Sequence, residues 1–465
     1  MLMRFDSVAL KYKFVIIAAF IILILAGAVI YSTVFHSGKN ESRLVNYPSD
    51  ISCRDCNIVL IVLDPLRADH IHSYGYMRDT TPTIDSLASH GFAFTNDISA
   101  SSWTLPADMS LLTGVYPSRH KVLNKYTLLS PGSQIISNLK VLAPDIVTFA
   151  EFLKKNGYAT GGFTGSAAVN REFGYSAGFD TYVDDKDFAG LPYTYPKAID
   201  WIKAHKENKF FVFLQGYDTH GEYVPQGGYD FRFLDFPYKG KLTGSKDEEV
   251  QLRESGLAQG KLFLSKDDVR FLNAIYDEKL QRADTELAKF LSEYKKLGLM
   301  DKTIFVFTSG HGEELYDHGQ IDHGHSLYQE LIHVPLIISV PGMSSGVKIN
   351  SLVSSIDVMP TVLSVLDIAP DDVLKKQMQG VSLIPAMEGG KMNLDAFSET
   401  DYRYAVFKRA FITSDGWKII TDLETNINEL YNLGSDKKEL GDLSSQNPAK
   451  DEEVSIKLQR ILDSF

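Results

Sequence analysis

A chain of 465 residues with 44% hydrophobic side chains can bury a large core, so one big domain with a smaller appendage is expected. The formal charge of −12 argues against nucleic acid as a partner, because phosphate backbones are held by clustered Lys and Arg. It leaves small anionic substrates open, since a bound divalent ion reverses the local field.

The first feature along the chain is Phe14–Phe35, a run of 22 residues without charge. That length suits a hydrocarbon layer of ~30 Å. Lys11 and Lys13 flank its start, which predicts a cytoplasmic N-terminus over 1–13 and a transmembrane anchor over 14–35. The expectation is a single-pass cell-membrane protein with its catalytic-type domain on the extracytoplasmic side. A cleaved signal peptide is the competing reading, because Ala26-Gly27-Ala28 resembles a cleavage site. Residues 36–56 are polar and read as a tether. Cys53 and Cys56 are the two cysteines, and with no further thiolate pair nearby they suit a small disulfide loop better than zinc.

From residue 57 the pattern alternates. Asn57–Asp64 is a continuous β-branched run of the kind found in strands covered on both faces. Ala159–Phe163, Phe210–Gln215, Thr303–Thr308 and Val334–Val340 read the same way. Helices are predicted over Thr81–His90, Asp145–Asn156, Tyr195–His205 and Lys266–Leu297. Gly227–Lys261 is a charged, turn-rich insertion expected to lie over the site. Short alternating stretches at Ala410–Thr413, Trp417–Thr421 and Asn428–Leu433 predict a small antiparallel unit. The fold class is therefore α/β: an α/β/α sandwich around a largely parallel mixed sheet, with a sandwich domain over 57–394 and a small subdomain over 395–465. In such sheets ligands bind beyond the carboxyl ends of the strands, where Asp64, Tyr217–His220 and Ser309–His311 fall.

These ends sit inside longer motifs. Asn57–Arg67 (NIVLIVLDPLR), Ser102–Gly114 (SWTLPADMSLLTG), Phe213–Tyr223 (FLQGYDTHGEY), Phe307–Gly319 (FTSGHGEELYDHG) and His323–Pro335 (HGHSLYQELIHVP) follow in one order. Ile356–Thr361 and Glu429–Leu433 extend the series. The set resembles the sulfatase family of the alkaline phosphatase superfamily over roughly residues 57–433.

The resemblance implies a hydrolase of sulfate or phosphate esters that uses a divalent metal, calcium or magnesium, and a hydroxyl nucleophile. It places Asp64 and His311 as metal ligands and Thr104 as the nucleophile. His220 would meet the ester oxyanion, and His323 or His325 would stand near the leaving-group oxygen. Arg67, Arg119 and His120 are expected as supporting charges. Three positions depart from the family. Thr104 stands where sulfatases carry the residue converted to formylglycine, and a plain helix cap is the competing role for it. Asp108 replaces an arginine, and Gly310 replaces a ligand aspartate, which predicts a weakened metal site unless Glu313 or Asp322 compensates. Those departures also fit a binding or scaffold module that has lost catalysis, or a threonine-based phospho-transferase at the membrane surface. The expected partner is a sulfated or phosphorylated small molecule, glycan or lipid head group.

Overall fold

The computed structural model describes residues 51–124, 126–128, 135–137, 142–224, 232–343, 345–403 and 405–465. Eight strands form the main sheet: β1 (Asn57–Leu63), β2 (Phe92–Ile98), β3 (Ala159–Phe163), β4 (Thr181–Val183), β5 (Phe210–Gly216), β6 (Thr303–Thr308), β7 (His333–Ser339) and β8 (Val347–Ser354). Their order is β8-β2-β7-β6-β1-β5-β3-β4. All run parallel except β7, which pairs antiparallel with β6 and β2.

The continuous apolar run of β1 has the physical reason expected of it. Ile58, Leu60 and Val62 enter one core cluster, and Val59, Ile61 and Leu63 enter the other. Both faces are thus covered, as side chains alternating across a strand require. One face is closed by α1 (Thr104–Thr113), α2 (Phe149–Lys155) and a helix over Val358–Val365. The other is closed by α3 (Leu191–His205) and the long α4 (Lys266–Lys296). A capping box at Thr148 and Glu151 starts α2, and another at Ser265 and Asp268 starts α4.

A second sheet of four antiparallel strands follows: β9 (Ala396–Tyr402), β10 (Val406–Ile412), β11 (Trp417–Asp422) and β12 (Ile427–Asn432). A terminal helix over Pro448–Leu462 packs Val454 and Leu458 onto it. The large mixed sheet and the small antiparallel sheet agree with the fold class expected from the sequence. Cys53 and Cys56 are joined as a disulfide. One expectation is corrected. The span at 14–35 lies outside the described residues, and no helix among the described residues is long and apolar enough to cross a membrane. The transmembrane helix and the single-pass membrane location therefore have no support in this structure.

The second sheet is tied to the segment before β7 through Glu439, which a buried ion pair within its own unit fixes. Lys418 on β11 and Glu439 are both 0% exposed in their side chains and lie 2.6 Å apart. Glu439 also accepts from the Gln329 amide at 2.6 Å, and its carbonyl receives His318 Nε2 at 3.1 Å. His318 Nδ1 meets Glu330 at 2.6 Å. Burial opposes a charge on His318, but the Glu330 carboxylate and the Glu439 carbonyl outweigh it and raise its pKa to about 9. Burial also holds Glu330 above its usual range, with His318 pulling it back down.

Removing one partner of a buried pair strands the other charge. Lys418→Met should therefore cost about 3–5 kcal/mol by denaturant unfolding, and adding Glu439→Gln should recover most of it. His318 gains its proton more readily in the folded state than at its ordinary 6.5. Its contribution is thus complete below that pH and drains away as pH rises through about 9. Melting curves of the parent and His318→Gln should converge across that window; a constant gap between them would show that His318 is not charged in the fold.

Candidate active site

Strands β6, β1 and β5 are parallel neighbours, with Val62 opposite Thr308 and Leu63 opposite Gly216. Their carboxyl ends share one edge of the sheet. Asp64, Ser309–His311 and Tyr217–His220 are delivered there by the residues that follow each strand, as the sequence implies. Thr104 arrives from β2, which runs the same way and leads into α1.

Thr104 does not cap α1. The residue at that position is Trp103, which makes no side-chain cap bond, and Thr104 is the first helical residue. Its hydroxyl lies 3.0 Å from His311 Nε2. His311 Nδ1 faces the Gly312 carbonyl at 2.8 Å, so that nitrogen carries the proton and Nε2 is the acceptor. The Thr104 hydroxyl therefore donates to His311. Burial and the neighbouring His323 hold the His311 pKa well below the usual histidine value, so the ring is neutral.

Two further histidines converge on this pair. The His323 ring lies 4.3 Å from His311 and 5.1 Å from His220, centre to centre. His220 Nδ1 faces the Gly221 carbonyl at 2.8 Å, and burial depresses its pKa to about 3. It is a second neutral ring. His323 is the opposite case: its Nδ1 lies 2.9 Å from Asp322 and 3.1 Å from Glu313. Burial opposes its charge, yet the two carboxylates outweigh that and lift its pKa to about 10. His325 does not join them, because its Nε2 is bound to Glu314 at 2.8 Å. Of the two histidines predicted for the leaving-group side, the structure brings only His323 beside His311 and His220.

Asp64 is fully buried and accepts from the Gly310 amide at 2.7 Å, Ser309 Oγ at 3.0 Å and Gln215 Nε2 at 3.2 Å. Burial raises its pKa while these donors oppose the rise. Beside it stands Asp108, which the sequence marked only as a lost arginine. All ten residues of α1 are buried, and Asp108 is 0% exposed. Among the described residues neither Asp108 oxygen has a hydrogen-bond donor, save a proton shared with Asp64. Burial, and then the Asp64 charge, push its pKa far above the usual range. The signal that could have found it is its i+4 spacing from Thr104, which puts both on one face of α1.

The expected supporting charges divide. Arg67 is buried and holds Asp69 at 2.9 Å and Asp317 at 2.6 Å, bracing the loop after β6. Arg119 pairs with Asp145 on a part-exposed surface. His120 bonds Ser110 at 3.0 Å beneath α1 and is kept neutral by burial. Neither reaches the histidine cluster. The insertion forms a helix, α5 (Lys246–Gln259), whose Arg253 holds Asp322 at 2.9 Å.

A family model described as Sulfatase matches residues 56–368, and one described as N-sulphoglucosamine sulphohydrolase, C-terminal, matches 316–464. The chain belongs to the sulfatase family. Mouse arylsulfatase K is 23% identical over 456 residues, covering 88% of this chain and 79% of the relative. An arylsulfatase of Clostridium perfringens is 22% identical over 447 residues, covering 85% and 91%. Among solved structures, a phosphonate monoester hydrolase of Agrobacterium radiobacter superposes with a TM-score of 0.69 at 19% identity, covering 88% of this chain and 96% of that one. A protein bound to its substrate D-glucosamine-2-N,6-O-disulfate gives 0.69 at 19%, covering 88% and 97%. These likenesses share the fold.

Sulfatase-family proteins bind a divalent metal, and two acidic clusters of this sulfatase-family chain come into question. Glu313, Asp322 and His323 offer atoms within 4.8 Å of one another. Their oxygens are already taken. Glu313 accepts from His323 and, at 2.5 Å, from Tyr223; Asp322 accepts from His323 and Arg253. That cluster fits a held proton better than a cation, and it does not stand in for the carboxylate missing at 310. The edge holding Asp64 and Asp108 fits a cation, because Asp108 is an orphaned buried acid there, whereas His311, expected as a ligand, spends Nε2 on Thr104 and Nδ1 on Gly312.

Proposed function

We propose that this chain hydrolyses sulfate esters, with Thr104 as nucleophile and a saccharide as the alcohol released. The observation that carries it is the Thr104 hydroxyl donating to a neutral His311 while a protonated His323 lies alongside. A divalent cation held at Asp64 would supply charge neutralisation for the sulfate oxygens and a lower pKa for the hydroxyl.

Thr104 Oγ1 attacks sulfur, forming an O–S bond, while the bond from sulfur to the sugar oxygen breaks. The threonine proton passes to His311 Nε2, and His323 gives a proton to the departing oxygen, so the alcohol leaves neutral. Water then attacks the same sulfur and returns a proton to His323. The bond from sulfur to Thr104 Oγ1 breaks, Thr104 recovers its proton from His311, and hydrogensulfate is released and loses its remaining proton to solvent. His220, neutral and with Nε2 free of its Nδ1–carbonyl bond, orients the ester. Asp322 and Glu313 keep His323 charged between turnovers.

A cleft of ≈ 440 Å³ adjoins His220, with Lys186, Lys246 and Arg282 among its lining. Phe188, 52% exposed, stands at its lip with its ring 5.0 Å from His220. An aromatic face beside cations suits a sugar ring bearing further anionic groups. The glucosamine disulfate bound by the structural relative supports the same substrate class.

Thr104→Ala should abolish sulfate release from aryl and sugar sulfates while changing stability by no more than ~1–2 kcal/mol. Full activity in that variant, or a preference of the parent for phosphate or phosphonate monoesters, would overturn the reading. His323→Ala should slow sugar sulfates, which leave as basic alkoxides, far more than an aryl sulfate with an acidic phenol. Equal losses on both would remove the acid role from His323.

A further inference from the structure

The weakened cation site expected from the sequence rests on a carboxylate missing at Gly310, but the space in front of Gly310 is already occupied by one. A β-carbon built on Gly310 would collide with Asp108 Oδ1 and lie 3.1 Å from Asp64 Oδ1. We propose that Asp108 replaces the carboxylate absent at Gly310 and holds a divalent cation together with Asp64. A ligand has moved from the end of β6 to the first turns of α1.

This rests on the cation-assisted reading of the site given above and adds the ligand that completes it. Asp108 sits on a helix with no exposed residue and has no donor among the described residues apart from Asp64. An ionised carboxylate so placed is strongly disfavoured without a partner. Asp64 already takes three donors, so the pair is asymmetric: one acid is positioned by the protein and the other is unsatisfied. A hard divalent cation bound by oxygen ligands satisfies that second acid. Glycine at 310 follows from the same arrangement, because any side chain there meets Asp108. The two departures from the family at 108 and 310 are then one change seen twice.

Calorimetric titration of calcium and of magnesium into the full chain, with melting curves in chelator and in each ion, tests the assignment. Asp108→Asn preserves shape and removes the orphaned charge. It should melt no lower than the parent in chelator and bind the ion at least roughly tenfold more weakly. A structural role would instead lower the melting temperature in chelator. Gly310→Asp alone should crowd the site and melt lower without binding more tightly. Asp108→Ala with Gly310→Asp should regain binding that each single variant lacks, a non-additive result peculiar to a relocated ligand. Parent-like binding in Asp108→Asn overturns the proposal, as does a parent that binds neither ion. No readout here requires turnover. Ion binding through Asp108 in a protein that cleaves no sulfate ester sinks the proposed function alone, whereas turnover without ion binding sinks this assignment alone.

Discussion

Carboxylates taken out of water need donors, a proton or a cation, and the way this chain meets that need organises its cleft. Asp64 receives backbone and side-chain donors from the loop after β6 and from β5. Glu313 and Asp322 share His323 and add Tyr223 and Arg253. Because those two acids are satisfied by the imidazole, the imidazole is held charged. Because His311 and His220 are buried beside that charge, they are held neutral, and each spends Nδ1 on a backbone carbonyl, which leaves Nε2 as the acceptor. One positive ring beside two neutral ones is a consequence of burial and of where the acids fall. It puts a proton donor and a proton acceptor in one cluster, the pair that the proposed ester cleavage uses.

The second sheet takes part in this arrangement although it contributes no side chain to the cluster. Lys418 fixes Glu439, Glu439 fixes the amide of Gln329, and the carbonyl of the next residue, Glu330, receives the amide of Glu313 at 3.0 Å. The short hairpin pairing Glu314–Leu315 with Ile321–Asp322 is therefore braced from behind by β11. His323 follows that hairpin directly. The small sheet thus acts on the chemistry through position.

Much of the framework could be read from residue pattern alone, and the failures have physical causes. β1, β5 and β6 carry long apolar runs that the sheet buries on both faces, and β3 and β7 are read the same way from shorter or interrupted ones. β2 was missed because Thr95, Asn96 and Asp97 break its run, and β8 because its Lys348 and Asn350 face outward at an edge. The direction of β7 left no trace in its composition. At the candidate site, Asp64, Thr104, His220 and His311 are expected from strand ends and motif order, and the structure places them at one edge of the sheet. The choice between His323 and His325 depended on which one Glu314 captured, a contact fixed by the hairpin and silent in the sequence. The burial of Asp108 beside Asp64 was not legible either, because motif comparison assigns a role by position in the chain, whereas contacts are made by position in space.

That distinction bears on how a metal site can change without being lost. The end of β6 and the first turns of α1 approach the same point, so a carboxylate supplied from either reaches the cation, and only one can occupy the space. A carboxylate added on the helix first would crowd the one at the strand end. Removal of the strand carboxylate first would leave the ion short of charge. The route between the two arrangements therefore passes through an impaired intermediate, and the glycine at 310, which clears the space completely, is what makes the second arrangement sterically sound. On that reading Thr104 and Asp108, one turn apart on the same helix face, move as one rigid unit. Asp64, from the end of β1, still has to be aligned with that helix, and the burial of all ten residues of α1 holds the two in place.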